Sequence, residues 1–252
     1  MNFGNPFFVI KLFAINEYSI FYFTIIYMIL LLRGHIRDSF KDSSLYELVK
    51  QICRFDNTLE IYIHTWSILQ NSVSWRALQE DKTKVTNEII LNYFSDLAPR
   101  VKHIIIENDS DIKLIGNVEG NLPKSELAPL IGWKRYWYST YQVVNYVYCL
   151  GNIDKSRPII NCRFDILRNS NPLSIDVVLR FIIEQRGNPF LKNWFLRIGY
   201  GGGVDNIYIG SIDTQHTLVS HFHFNLDSIL VTSAYGQELI VPEQNDLLFP
   251  CA

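Results

Sequence analysis

Short, wholly apolar runs alternate along the chain with stretches whose apolar positions fall three and four apart, and this alternation predicts the elements. MILLLR (28–33) is an unbroken apolar run closed by Arg33 and Gly34, the pattern of a central parallel strand buried on both faces. SSLYELVKQICRF (43–55) carries apolar residues at 45, 48, 49, 52 and 53, a helical stripe with Ser43 or Ser44 as N-cap. TLEIYIHTW (58–66) alternates and is β-branched, so it reads as a strand. The polar segment 74–85 reads as a loop, 85–97 as a helix capped by Thr86, and 101–109 as a strand ending in Glu107, Asn108 and Asp109. Residues 110–132 read as a long irregular loop, 134–150 as a helix rich in aromatics, 158–167 as a strand and 174–186 as a helix. Segments 193–199 and 205–211 flank a glycine run at 201–203; a last helix is expected over 212–224 and a short strand near 228–232.

Strands and helices in strict alternation imply an α/β fold: a single, mostly parallel central sheet flanked by helices. Such sheets bind ligands beyond the carboxyl ends of their strands. RGHIR (33–37), HTW (64–66), END (107–109) and RFD (163–165) all fall at or near those ends. The first strand is not followed by GxGxxG, and the sequence has neither a GxxxxGK[ST] loop nor a GxSxG elbow. Dinucleotide, P-loop and serine-hydrolase readings therefore have no sequence support.

With 252 residues, 48% hydrophobic, the chain can bury a large core. The expected organisation is a hydrophobic extension over 1–27 and one domain over 28–252. A formal net charge of −2 and the lack of a basic stripe argue against a nucleic-acid partner. Cys53, Cys149, Cys162 and Cys251 share no metal-type spacing and read as reduced thiols of a cytoplasmic protein. YSIFYFTIIYMILLL (18–32) falls short of the roughly 20 residues that cross a bilayer. It is open to three readings: a membrane anchor, an amphipathic or buried extension, or a loose extension from which only MILLLR joins the fold. The last is favoured; the first would make the protein membrane-associated through its N-terminal segment.

The strand ends suggest chemistry. Gly34 lets backbone approach a ligand, and Arg33 and Arg37 on either side suit phosphate oxygens. His35 can stack on a base or donate to a phosphate, and His64 and Trp66 are candidates for the same ligand, although packing explains them as well. Asp165 is a carboxylate among strand hydrophobes, two residues after Arg163. It either pairs with Arg163 or holds a divalent cation, Mn²⁺ or Mg²⁺, against a diphosphate. Asp205, Asn206 and Glu243 are further polar candidates near a glycine run and a proline, and HFHF (221–224) is a weak metal motif.

Taken together, LLLRGHIRDSF, LEIYIHTW, GWKRYWYSTYQVVNYV, IINCRFDIL, DNIYIGS and VPEQND resemble a family of glycosyltransferases from large DNA viruses and bacterial surface-polysaccharide gene sets. The resemblance spans about residues 28–246. It implies an A-type, nucleotide-sugar-binding α/β fold and transfer of a sugar from a nucleoside-diphosphate donor to an acceptor hydroxyl of a glycan or other molecule. Under it, Arg33, Gly34, His35, Arg37, His64, Trp66, Lys134 and Arg163 bind the donor, with Tyr138 one turn from Lys134. Asp165 holds the metal, directly or through water, and Asp205 or Glu243 is the candidate base if the transfer inverts configuration, inversion and retention both being open. The family's Asp-x-Asp element is reduced here to Arg163-Phe164-Asp165, which leaves Arg163 as an alternative neutraliser of the diphosphate. A sugar-phosphate or nucleotidyl transferase, and an inactive glycan- or nucleotide-binding module, are the competing readings.

Overall fold

A computed structural model describes residues 27–74, 78–123, 127–168, 172–185, 192–197 and 203–232, with the backbone alone at 197, 203–205 and 232. Residues 1–26 of the expected 1–27 extension, and Glu243, lie outside the described residues. In chain order the elements are β1 (Ile29–Arg33), α1 (Ser44–Phe55), β2 (Glu60–Trp66), β3 (Ile68–Gln70), β4 (Asp81–Lys84), α2 (Asn87–Phe94), β5 (Val101–Glu107), α3 (Leu130–Cys149), β6 (Pro158–Arg163), α4 (Ile175–Gln185), β7 (Trp194–Arg197), β8 (Gly203–Ser211) and α5 (Ile212–Thr232). Tight 3-10 turns cover Arg37–Phe40, Ser95–Arg100 and Phe164–Leu167.

Six strands form one sheet in the order β5-β2-β1-β6-β8-β7. β1, β2, β5 and β6 run parallel, and β8 runs against both of its neighbours. This is the expected α/β architecture with a mostly parallel sheet, compatible with a Rossmann-like fold. The chain steps outward from β1 to β2 and β5, then crosses back to β6 on the other side of β1. The strand order therefore reverses between β1 and β6, and a crevice opens at the carboxyl ends of such a pair.

β1 is buried at every position, which explains why it has no polar face. Leu30 and Leu32 join a core with α1, α2 and α4; Ile29 and Leu31 join a second core with α3 and α5. Each such leucine contributes about 1.5–3 kcal/mol of burial. In α1 the buried face is Leu45, Leu48, Val49 and Ile52, as the spacing predicts. Its first turn is held differently from expectation: neither Ser43 nor Ser44 caps it with a side chain, and Asp42 Oδ1 accepts from the Ser44 amide at 3.0 Å. Thr86 does cap α2, its Oγ1 accepting from the Ile89 amide at 3.3 Å.

Four boundaries differ from the sequence reading. The segment read as loop over 74–85 includes β4, hairpinned to β3. α3 starts at Leu130, directly after Pro129, rather than at 134. The strand over 158–167 stops at Arg163 and turns. The strand near 228–232 is the end of α5 instead, because Phe222, Leu226 and Leu230 recur every four residues and bury one helical face. Among the described residues no helix is long and apolar enough to cross a membrane.

Candidate functional site

At the carboxyl ends of β1 and β6 two tight turns meet. Phe40, in the turn after β1, packs edge-on against Phe164, in the turn after β6, at 5.8 Å between ring centres. That contact brings the first residue of one turn, Arg37, to the second of the other, Asp165. The Arg37 guanidinium forms an ion pair with Asp165 Oδ2. Arg163 clamps the same carboxylate in a two-pronged pair, Nε to Oδ1 at 2.8 Å and Nη2 to Oδ2 at 2.8 Å. Asp165 is only 3% exposed, whereas the arginine side chains are 17% and 18% exposed. One buried carboxylate thus orients two guanidiniums where β1 and β6 end, and the triad carries a surplus positive charge.

Backbone strain marks the same spot. Arg37 has φ +52°, a left-handed conformation that non-glycine residues adopt at a cost of about 1–2 kcal/mol. Gly34 has φ +88°, and a methyl group built on it would meet nothing within 4 Å. The glycine therefore fits the turn and leaves open space before the backbone, as a ligand's close approach requires. Its amide donates to the His64 carbonyl at 3.2 Å, and its own carbonyl accepts from Thr65 Oγ1 at 3.0 Å.

A second cluster lines the ends of β2 and β5. His64 is fully buried, with Nε2 2.8 Å from Glu107 Oε2. Tyr138 Oη donates to the other Glu107 oxygen at 2.9 Å. The bond from His64, aided by that from Tyr138, holds the Glu107 carboxyl below the usual carboxylate range, whereas burial and Glu107 push the Tyr138 hydroxyl up to about 12. Trp66 is 2% exposed and lies between three rings: His64 at 5.1 Å, His35 at 5.9 Å and Tyr138 at 6.2 Å. Burial, together with the Arg37 and Arg135 guanidiniums, pushes His35 down to about 3, so its imidazole is neutral. Arg135 in turn pairs with Asp109 at 3.1 Å.

Two sequence candidates have other surroundings than expected. Arg33 is 1% exposed and belongs to the interior, not to the turn after β1. It follows Ile29 and Leu31 on the α3 and α5 side of β1, donates from Nε to Asn161 and from Nη2 to Tyr136 at 3.0 Å, and stacks on the Tyr136 ring at 4.5 Å. Asn161 continues this network to Gln215 at 3.1 Å. Lys134 is likewise engaged: Asp227 lies at 2.6 Å, and its ammonium donates to the Ile115 carbonyl, tying the loop after β5 to α3 and α5. Of the HFHF histidines, His223 stacks on Tyr141 at 4.5 Å and His221 lies edge-on to Phe222 at 5.6 Å.

Asp205 belongs to β8, whose pairing of Ile207 with Cys162 carries Asp205 to the sheet edge where β6 ends. The donor set at Asp165 does not fit Mn²⁺ or Mg²⁺: both carboxylate oxygens already accept from guanidiniums, and two positive charges would flank the ion. Among the described residues no three His, Cys, Asp or Glu side chains gather as a metal site. Arg135 is not among the sequence candidates, and Glu107 enters the sequence reading only as part of END (107–109). Glu107 was signalled by its place at a strand end, and Arg135 by lying three residues before Tyr138, on one helix face. No family model matches the chain and no curated protein matches its sequence, so the function rests on this geometry.

Proposed function

We propose that the protein is a glycosyltransferase that moves a sugar from a nucleoside-diphosphate donor to an acceptor hydroxyl, using arginines rather than a metal ion at the diphosphate. The observation that carries this reading is the convergence of Arg37, Arg163 and Asp165 beside Gly34 at the point where strand order reverses. Nucleotides favour that position in open α/β sheets. A planar guanidinium offers two parallel donors to phosphate oxygens, and Asp165 sets the direction of both.

During transfer the acceptor oxygen bonds to the anomeric carbon, the bond from that carbon to the diphosphate oxygen breaks, and the leaving diphosphate keeps the electron pair and gains negative charge. Arg37 and Arg163, fixed before the substrate arrives, stabilise that charge without reorganising. The acceptor hydroxyl loses its proton to a carboxylate; Asp205 is the stronger candidate, since its backbone lies at the edge of the sheet next to Arg163. Glu243 is the other. His35, neutral and enclosed, keeps a further positive charge away from the arginines while leaving a polar edge near Trp66.

The test is a donor-hydrolysis and transfer assay over UDP-, GDP- and CDP-sugars, run with EDTA and with Mn²⁺. The expected result is release of a nucleoside diphosphate by the wild-type chain in EDTA, reduced about 100-fold or more in Asp165→Asn. Release of a nucleoside monophosphate or pyrophosphate would instead indicate sugar-phosphate or nucleotidyl transfer. Tight donor binding with no turnover under any condition would indicate a binding module.

A further inference from the structure

Glu107 has a surplus of acceptor capacity aimed at the ligand edge of the sheet. Its side chain is 29% exposed, while the two groups that grip it, His64 and Tyr138, come from the interior side of β2 and from α3. An ionised carboxylate has about four lone-pair sites on two oxygens. His64 uses one on Oε2 and Tyr138 one on Oε1, so each oxygen keeps a further lone pair. Two parallel acceptors on one rigid carboxylate match two neighbouring hydroxyls on one ring.

The spacing along the sheet edge agrees. β6 and β1 are adjacent, β2 is next, and β5 is the outermost strand of that half. Neighbouring strands are about 4.8 Å apart and Glu107, paired with Trp66, lies two residues beyond the row of Arg33 and Arg163, so it is about 12 Å from the end of β1 and about 16 Å from the end of β6. Between them lie open Gly34 and the flat, enclosed Trp66. A ligand whose diphosphate rests on Arg37 and Arg163 and whose remainder runs along this edge presents its ring hydroxyls in the direction of β5.

We propose that Glu107, positioned by His64 and Tyr138, binds the vicinal diol of the donor's ribose. The inference rests on the nucleoside-diphosphate reading above and adds to it a residue and a chemical discrimination. The carboxylate accepts from the 2′- and 3′-hydroxyls, and a ligand lacking them leaves Glu107 without those bonds.

The experiment is calorimetric titration of the full chain in EDTA with UDP, GDP, CDP and ADP, their 2′,3′-dideoxy counterparts, and inorganic pyrophosphate. Wild type is expected to bind one ribonucleoside diphosphate about tenfold or more tightly than its dideoxy form. In Glu107→Gln that preference should shrink to less than about threefold, with pyrophosphate affinity unchanged. Tyr138→Phe, which removes a single donor to the carboxylate, should weaken the preference partially and make it fade at a higher pH than in wild type. Equal affinity for ribo and dideoxy forms, alongside sound pyrophosphate binding, would overturn the diol assignment and leave the arginine cradle standing. Absence of binding by pyrophosphate and by every nucleotide would overturn both. Should Glu107→Gln not fold, Tyr138→Phe decides: a preference that fades at the same pH as in wild type would overturn the assignment to Glu107.

Discussion

Asp165 is the residue on which the site's charge arrangement turns. Replacing it by Asn leaves two guanidiniums without their shared anion, and breaking a buried pair of this kind costs about 3 kcal/mol. Urea unfolding at pH 7 should register that loss in Asp165→Asn, together with weaker pyrophosphate binding because Arg163 and Arg37 are no longer aimed. Gly34→Ala makes a separable prediction: left-handed φ costs an alanine about 1 kcal/mol, and its methyl group enters the open space before the turn. Binding should therefore fall by more than stability does. At this scale the sequence was partly legible. An aspartate among apolar strand residues demands a partner, and Arg163 two positions earlier supplied one. Arg37 could be assigned to the same carboxylate only once the Phe40–Phe164 contact was known. The burial of Arg33 is legible too: strand residues alternate, and Arg33 shares parity with Ile29 and Leu31, which face α3 and α5.

Between α3 and α5, neutral histidines stack on tyrosines. His216 lies 3.7 Å from Tyr148 and His223 4.5 Å from Tyr141, and His103 on β5 lies 3.8 Å from Tyr146. Burial lowers all three pKa values, and His35 falls further. An unfolded histidine titrates near 6.5, so below that pH the unfolded chain binds protons that the folded chain refuses. Stability should be full above about pH 7 and decline from about pH 6.5 downward, before carboxylates begin to titrate. Thermal unfolding at pH 7.5, 6 and 5 checks this; a midpoint that rises toward pH 5 would contradict it. The same interface rests on Trp137, fully buried and stacked on Phe222 at 4.3 Å. Trp137→Ala should cost about 4 kcal/mol in urea unfolding. Helices with a clean apolar stripe, such as α1, were legible. The end of α5 was not, because Ile229, Leu230 and Val231 together mimic a strand. β4 was missed because Asp-Lys-Thr-Lys is exposed throughout and has no apolar alternation to reveal pairing.

For the whole molecule, the fully apolar β1 does the organising. It lies in the middle of the sheet, packs a core on each face, and ends beside β6 where the strand order reverses. That centrality was legible, since MILLLR lacks any polar position before Arg33. Reversal of β8 was not, because an antiparallel edge leaves no mark in composition. The architecture also predicts where a ligand should stabilise the fold. A diphosphate bridging Arg37 and Arg163 joins the turns after β1 and β6, and at 100 times its dissociation constant it should add about 2.7 kcal/mol. The most direct measurement is titration of inorganic pyrophosphate into the wild-type chain, Arg37→Ala and Arg163→Ala, with EDTA present. The account predicts one site, weakened about tenfold or more by either substitution. Pyrophosphate that fails to bind, or binds equally well to all three proteins, would contradict it.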